Sequence, residues 1–162
     1  MSAPLHLAND ELVLAAWASS RPGFTSAMVG TTLPRDMASW AANGFVVVGP
    51  VIGGETLGDQ GPIAHTSIQV SAYAVPTTAT STNTGTRPPW GKAAGLIEQI
   101  VRACYDDPAV ASLDLGPRFR RARVLDVSPD PSNGRPTRVG TEDPPIARYD
   151  VDLSVMWAEL PV

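Results

Sequence analysis

Residues 147 to 159, ARYDVDLSVMWAE, alternate from end to end. Ala147, Tyr149, Val151, Leu153, Val155 and Trp157 fall on one side of an extended chain. Arg148, Asp150, Asp152, Ser154 and Met156 fall on the other. A period of two held this long marks a strand with one buried and one polar face. Residues 64 to 75, AHTSIQVSAYAV, repeat the pattern, with Ala64, Thr66, Ile68, Val70, Ala72 and Ala74 opposed to His65, Ser67, Gln69, Ser71 and Tyr73. Strands of this kind belong to an antiparallel sheet whose apolar side needs a second layer.

Two helices can supply that layer. Asn9 is a candidate N-cap, Asp10 and Glu11 suit the positive end of a helix dipole, and Leu12, Val13, Ala16 and Trp17 share one face. Arg21-Pro22-Gly23 closes this helix. The second starts after Pro88 and Pro89 and places Trp90, Ala93, Ala94, Ile97, Ile100, Val101 and Cys104 along one stripe until Asp106-Asp107-Pro108. One further helical turn, capped by Asp107, is expected to run to about Leu113.

Three more strands are expected over 26–32, 45–52 and 119–127. Residues 77–87, TTATSTNTGTR, hold little to bury and are read as a loop mobile or ordered by a partner. Residues 128–145 contain several prolines, Asn133-Gly134 as a turn signal and mixed charges, and read as a long hairpin arm suited to contacts. The expected fold class is α+β: a mainly antiparallel twisted sheet of about five strands, two helices on one face and a long β-hairpin arm, in a single domain over 1–162. No repeat of solenoid or propeller length is visible.

Composition narrows the function. With 162 residues, 43% apolar, the chain can build one core, and 17% charged residues leave much neutral surface of the kind that partners cover. Oligomerisation is the first expectation. A net charge of −4 argues against a dedicated nucleic-acid binder. A single Cys excludes an intrachain disulfide framework and fits a reducing compartment. No signal segment and no long apolar span is seen, so a soluble chain without a membrane partner is expected.

Catalytic and cofactor signals are weak. Gly49 to Thr56, GPVIGGET, has the glycine spacing of a phosphate loop, but Glu55 stands where that loop needs lysine and Pro50 lacks a donor N–H. A glycine-rich turn after the strand over 45–52 is the plainer reading. His6 and His65 have no ligand-spaced companions. Cys104 lies on the apolar stripe of the second helix and reads as a small buried hydrophobe. No nucleophile motif is present. We therefore assign no catalytic, metal or cofactor residue and expect no enzyme. Asp150 and Asp152 are expected to pair with the arginines of the adjacent strand.

Those arginines are the sharpest local feature. Arg118, Arg120, Arg121 and Arg123 crowd one short stretch, and Arg135 and Arg138 lie in the arm. They pair across the hairpin and to a neighbouring chain, or a ring repeats them into a basic band facing DNA or an acidic partner. Loop contacts are assigned to Thr82, Asn83, Thr84 and Asn133.

The order of elements, with NDELVLAAWASS, VGTTLPRD, FVVVGPVIGG, IAHTSIQVSAYAV, WGKAAGLIEQIVRAC and ARYDVDLSVMWAEL, resembles the tail terminator family of long-tailed bacteriophages, those of actinobacteria especially. The resemblance spans nearly the whole chain. It implies a virion protein of the tail and neck, assembled in the host cytoplasm: a homohexameric ring that caps the tail tube, ends its polymerisation and meets the head-completion (stopper) proteins. Double-stranded DNA would pass through its channel without sequence specificity, and no cofactor is implied. The alternatives are a head–tail connector or tail tube subunit and, in another class, a small enzyme or small-molecule binding domain. A tube subunit stacks without limit, and an enzyme needs convergent polar residues in a deep pocket.

Overall fold

The computed structural model describes residues 5–57, 63–77, 88–140 and 146–161. In chain order the elements are α1 (Asp10–Ser19), β1 (Val29–Gly30), a 3-10 turn (Met37–Ser39), β2 (Phe45–Leu57), β3 (Ile63–Ala74), α2 (Trp90–Asp106), β4 (Val110–Leu113), β5 (Ala122–Pro129), β6 (Thr137–Val139) and β7 (Ala147–Glu159). The strands form one sheet in the order β1-β2-β3-β7-β5-β4, and β6 pairs β7 on the line that β5 vacates. β1 runs parallel to β2, and the other strand pairs among the described residues are antiparallel, with one isolated parallel bridge between His6 and Phe119.

The two alternating stretches are its centre. β3 and β7 pair without a break from Ile63↔Ala158 to Ala74↔Ala147, so their even and odd faces coincide. Ile68, Val70 and Ala72 from β3 and Val151, Leu153, Val155 and Trp157 from β7 join Val13, Leu14, Trp17 and Ala18 of α1 and Leu96, Ile97, Ile100 and Cys104 of α2 in one core. Both helices therefore lie on the same face. α1 is capped by Asn9, whose side chain accepts from Leu12 N at 2.9 Å. Trp17 is fully buried, and its indole N–H donates to Pro108 O at 2.8 Å, which fixes the end of α2 against α1.

The sheet is larger and more mixed than five antiparallel strands. Residues 110–113 do not form a helical turn: β4 pairs Val110 with Val124 and Leu113 with Ala122. A lone turn would leave most of its backbone groups unpaired, whereas an open sheet edge satisfies them at once. The glycine-rich 49–56 stretch is not a turn either. β2 continues through it to Leu57, with register shifts between Val48 and Val51 and between Val51 and Gly53, so Pro50 sits in a bulge of an edge strand, where a missing N–H is tolerated. The first strand shrinks to Val29–Gly30, and the fourth expected strand starts at Ala122 rather than at Phe119.

The arm over 128–145 is also different. β5 runs into a short excursion at 130–136 and resumes as β6 on the same edge of β7, while residues 141–145 of the expected arm lie outside the described residues. The excursion is stitched down: Asp130 N donates to Asp152 O at 2.9 Å and Asp152 N donates to Asn133 O at 3.2 Å. One end of the helix-free face carries a second small core, in which Trp40, Ala41, Phe45 and Val75 pack with Leu33, Met37, Val47 and Tyr73. The segment between β1 and β2 thus covers this corner, and it is held to α2 by Lys92, whose Nζ donates to Ala41 O at 3.0 Å.

Candidate interaction surface

The remainder of the helix-free face is polar and half-buried. Its odd-numbered residues on β3 stand opposite the even-numbered ones on β7, giving Ser67↔Ser154, Gln69↔Asp152, Ser71↔Asp150 and Tyr73↔Arg148. Their side chains bond to one another. Gln69 Nε2 donates to Asp150 Oδ2 at 2.7 Å, and Arg148 grips Asp150 with Nε to Oδ1 at 2.9 Å and Nη2 to Oδ2 at 3.0 Å. This two-pronged geometry is the favourable one for guanidinium and carboxylate. Burial would lower the Arg148 pKa, but the hydrogen bonds and charge of Asp150 prevail and raise it. Ser67 Oγ donates to Asp130 Oδ2 at 2.8 Å.

Two aspartates of this face are shifted in opposite directions. Asp130 is held below the ordinary carboxylate range by the backbone N–H of Ser132 and then by the Ser67 hydroxyl. Asp152 is pushed up by burial, against the Asn133 side chain, with Asp130 and Asp150 adding to the rise. Asp150 and Asp152 thus do not pair with the strand of arginines. Asp150 takes Arg148 from its own strand, two residues away, and Asp152 takes the amide of Asn133. Cross-strand register explains it, because β5 faces β7 only from Leu153 onward, beyond both aspartates.

The arginine cluster divides. Arg120 lies beside Glu159, Nη1 to Oε2 at 3.9 Å, and its buried Nε has no hydrogen-bond partner among the described residues. Arg121 reaches back to β4, with Nε to Ser112 Oγ at 2.5 Å and Nη1 to Asp114 Oδ2 at 3.7 Å. Arg118 and Arg123 are exposed and make no ion pair among the described residues. Arg118 serves through its backbone: its carbonyl accepts from His6 N at 2.7 Å, and Arg120 N donates to His6 O at 3.2 Å. Arg135 is exposed in the excursion, and Arg138 stacks its guanidinium 3.7 Å from the centre of the Trp90 ring. Asn133 is a structural contact of the excursion. Thr82, Asn83 and Thr84 lie outside the described residues.

Cys104 is buried, and burial followed by the Asp126 charge pushes its thiol up to about 12, so the thiolate is disfavoured there. One junction escaped the sequence. Asp10 Oδ1 accepts from both Thr66 Oγ1 and Trp157 Nε1, each at 2.8 Å, tying the first turn of α1 to the two central strands. The lone hydroxyl of Thr66 on an otherwise apolar face was its signal. Asp10 and Thr66 also line a shallow 510 Å³ groove with Val51, Ile52, Gly53, Gly54 and Ala64.

Fold and surface together define a two-layer α+β protein whose polar sheet face is internally bonded and whose β4–β5 edge mixes arginines with exposed Asp114 and Asp126. No family model matches the chain, and no curated protein matches its sequence. Among solved structures it is similar to a chain described as "Virion of native gene transfer agent (GTA) particle", at 16% identity and TM-score 0.48, over 90% of this chain and 84% of that one.

Proposed function

We propose that this chain is a structural subunit of a phage-type virion, assembling into a ring at the end of a tail tube, where it halts tube growth and presents a surface to head-completion proteins. The reading rests on the tail-terminator resemblance of the sequence. The segments that carry it are α1, β1 with the turn after it, β2, β3, α2 and β7, most of which build the core.

The observation that carries the assembly part is the uneven use of charge. Asp130, Asp150 and Asp152 are occupied inside the chain, while Arg118, Arg123 and Arg135 stand exposed on a subunit of net charge −4. Exposed arginines on a mildly acidic subunit offer a neighbour's carboxylates cationic partners, and such unlike patches suit a heterologous ring contact. Repeated round a ring, Arg118, Arg123 and Arg135 would offer cationic groups past which DNA could move without sequence readout.

Electron microscopy and light scattering of the purified chain test this. Single rings or short ring stacks are the expected result. Unlimited tubes would indicate a tube subunit, and a monomer at every concentration would overturn the assembly reading.

A further inference from the structure

We propose that Asn133–Gly134 is a self-modification site of the folded chain, whose side-chain amide deamidates through a cyclic imide while the other Asn–Gly pair, Asn43–Gly44, stays intact. An asparagine followed by glycine is the reactive case, because the glycine N–H meets the amide carbon with no side chain in the way. The chain has two such pairs, whereas Asn9 and Asn83 precede Asp10 and Thr84. The site stands whether or not the chain forms rings.

The reaction needs only solvent water. Gly134 N attacks Asn133 Cγ, the new N–Cγ bond forms, the Cγ–Nδ2 bond breaks, and ammonia leaves with the proton from Gly134 N. Water then opens the imide at either carbonyl, giving aspartate or isoaspartate and one added negative charge. Ring closure needs the asparagine ψ turned to a value between the helical and extended wells, so the peptide that follows must be free to swing.

The two pairs differ in that freedom. Gly44 N donates to Trp40 O at 2.8 Å, so the attacking nitrogen is already engaged. Gly44 is also buried, between Trp40 and Phe45 of the second small core. Swinging the 43–44 peptide would break that bond and disturb that core. Asn133 is exposed and Gly134 half-buried, and the Gly134 N–H has no hydrogen-bond partner among the described residues. The carbonyl of the 133–134 peptide is held by one long bond, 3.2 Å from Asp152 N. The turn itself demands the reactive neighbour: a Cβ at 134 would meet Asp130 O and lie 2.6 Å from Pro129 Cβ, so only glycine fits.

The product meets carboxylates. The Asn133 side chain bonds the Asp152 carboxyl, which Asp130 and Asp150 already disfavour as an anion. A carboxylate at 133 replaces that donor by a like charge where the excursion returns to β7, so conversion loosens the excursion and β6 behind it.

Peptide mapping of the purified chain held in warm neutral buffer tests the site. Aspartate and isoaspartate should accumulate at 133, with the amide at 43 lasting about tenfold longer or more, the protection that a bonded and buried segment has against opening. In guanidinium chloride both pairs should convert at like rates. Conversion at 43 as fast as at 133 in the folded chain, or none at 133 while the unfolded chain reacts fully, would overturn the proposal. Asn133→Asp carries the product from the start, and amide hydrogen exchange over 137–139 should then quicken about tenfold while β3 keeps the parental rate. Exchange equal to the parent's over 137–139 would overturn the loosening.

Discussion

The indole Nε1 of Trp157 donates a 2.8 Å hydrogen bond to Oδ1 of Asp10, across 147 residues of sequence. Thr66 donates to the same oxygen. Both donors belong to buried residues, 6% and 4% exposed. Removing the acceptor strands two buried donors at once, and each costs about 1–3 kcal/mol. Asp10→Ala is therefore expected to lose about 2–4 kcal/mol in urea unfolding. Asp10→Asn keeps an acceptor oxygen and should lose about half as much or less. Equal losses for the two variants would mean that the charge, not the acceptor, holds the junction.

Acid titration should separate two aspartates on one face. Asp130 has a depressed pKa, so its contribution to stability is present above the unfolded value near 3.8 and is lost as pH falls through the lower folded value. Asp152 is raised, so the folded state holds its proton to higher pH, and stability falls as pH rises through the window above 3.8. Asp130→Asn should then lower the melting temperature at pH 7 and have little effect at pH 3. Asp152→Asn should raise it at pH 7, with the gain shrinking as pH falls toward 3.8 and absent below it. Thermal melts at the two pH values check both signs.

Two glycines with opposite surroundings offer a test of packing. Gly44 has φ +79°, and a Cβ there would lie 2.5 Å from Leu96 Cδ1 and 2.9 Å from Tyr73 O. One neighbour is backbone and cannot give way. Gly44→Ala should cost about 2–4 kcal/mol, from the left-handed conformation and the overlap together. Gly95, inside α2, has nothing within 4 Å of such a Cβ. Gly95→Ala should add about 1 kcal/mol by helix propensity. Equilibrium unfolding in urea distinguishes a loss from a gain.

The two strands that open the sequence argument were legible because a period of two carries both the element and its buried face. Both helices were legible through their caps and stripes, although Leu96 went unnoticed beside Ile97. What stayed hidden is non-local. Val110 to Leu113 form a strand because β5 arrives beside them, and no local signal announces that. β2 passes through Gly49 and Pro50 because an edge tolerates the bulge, while the glycines in isolation suggest a turn. The arginines were visible as a cluster, but their division into the engaged Arg120 and Arg121 and the exposed Arg118 and Arg123 depends on where Glu159, Ser112 and Asp114 come to rest.

That division separates arginines that hold the fold from arginines free to meet a neighbour. Arg120 is no surface switch: it lies beside Glu159, whose Oε1 also accepts from Ala8 N at 2.7 Å. Reversing Arg120 would bring two carboxylates together and loosen the N-terminal segment, so loss of assembly by Arg120→Glu would say little about contacts. Arg118 and Arg123 are the informative positions, being exposed and without an ion pair among the described residues. Arg118→Glu with Arg123→Glu should leave unfolding unchanged within about 0.5 kcal/mol, as for ordinary surface sites. It should also raise the concentration needed for ring formation, with the largest difference at low salt because exposed charges are screened as salt rises. Light scattering across a salt series reads this directly. An assembly curve identical to the parent at every salt concentration would reduce the two arginines to solvated surface.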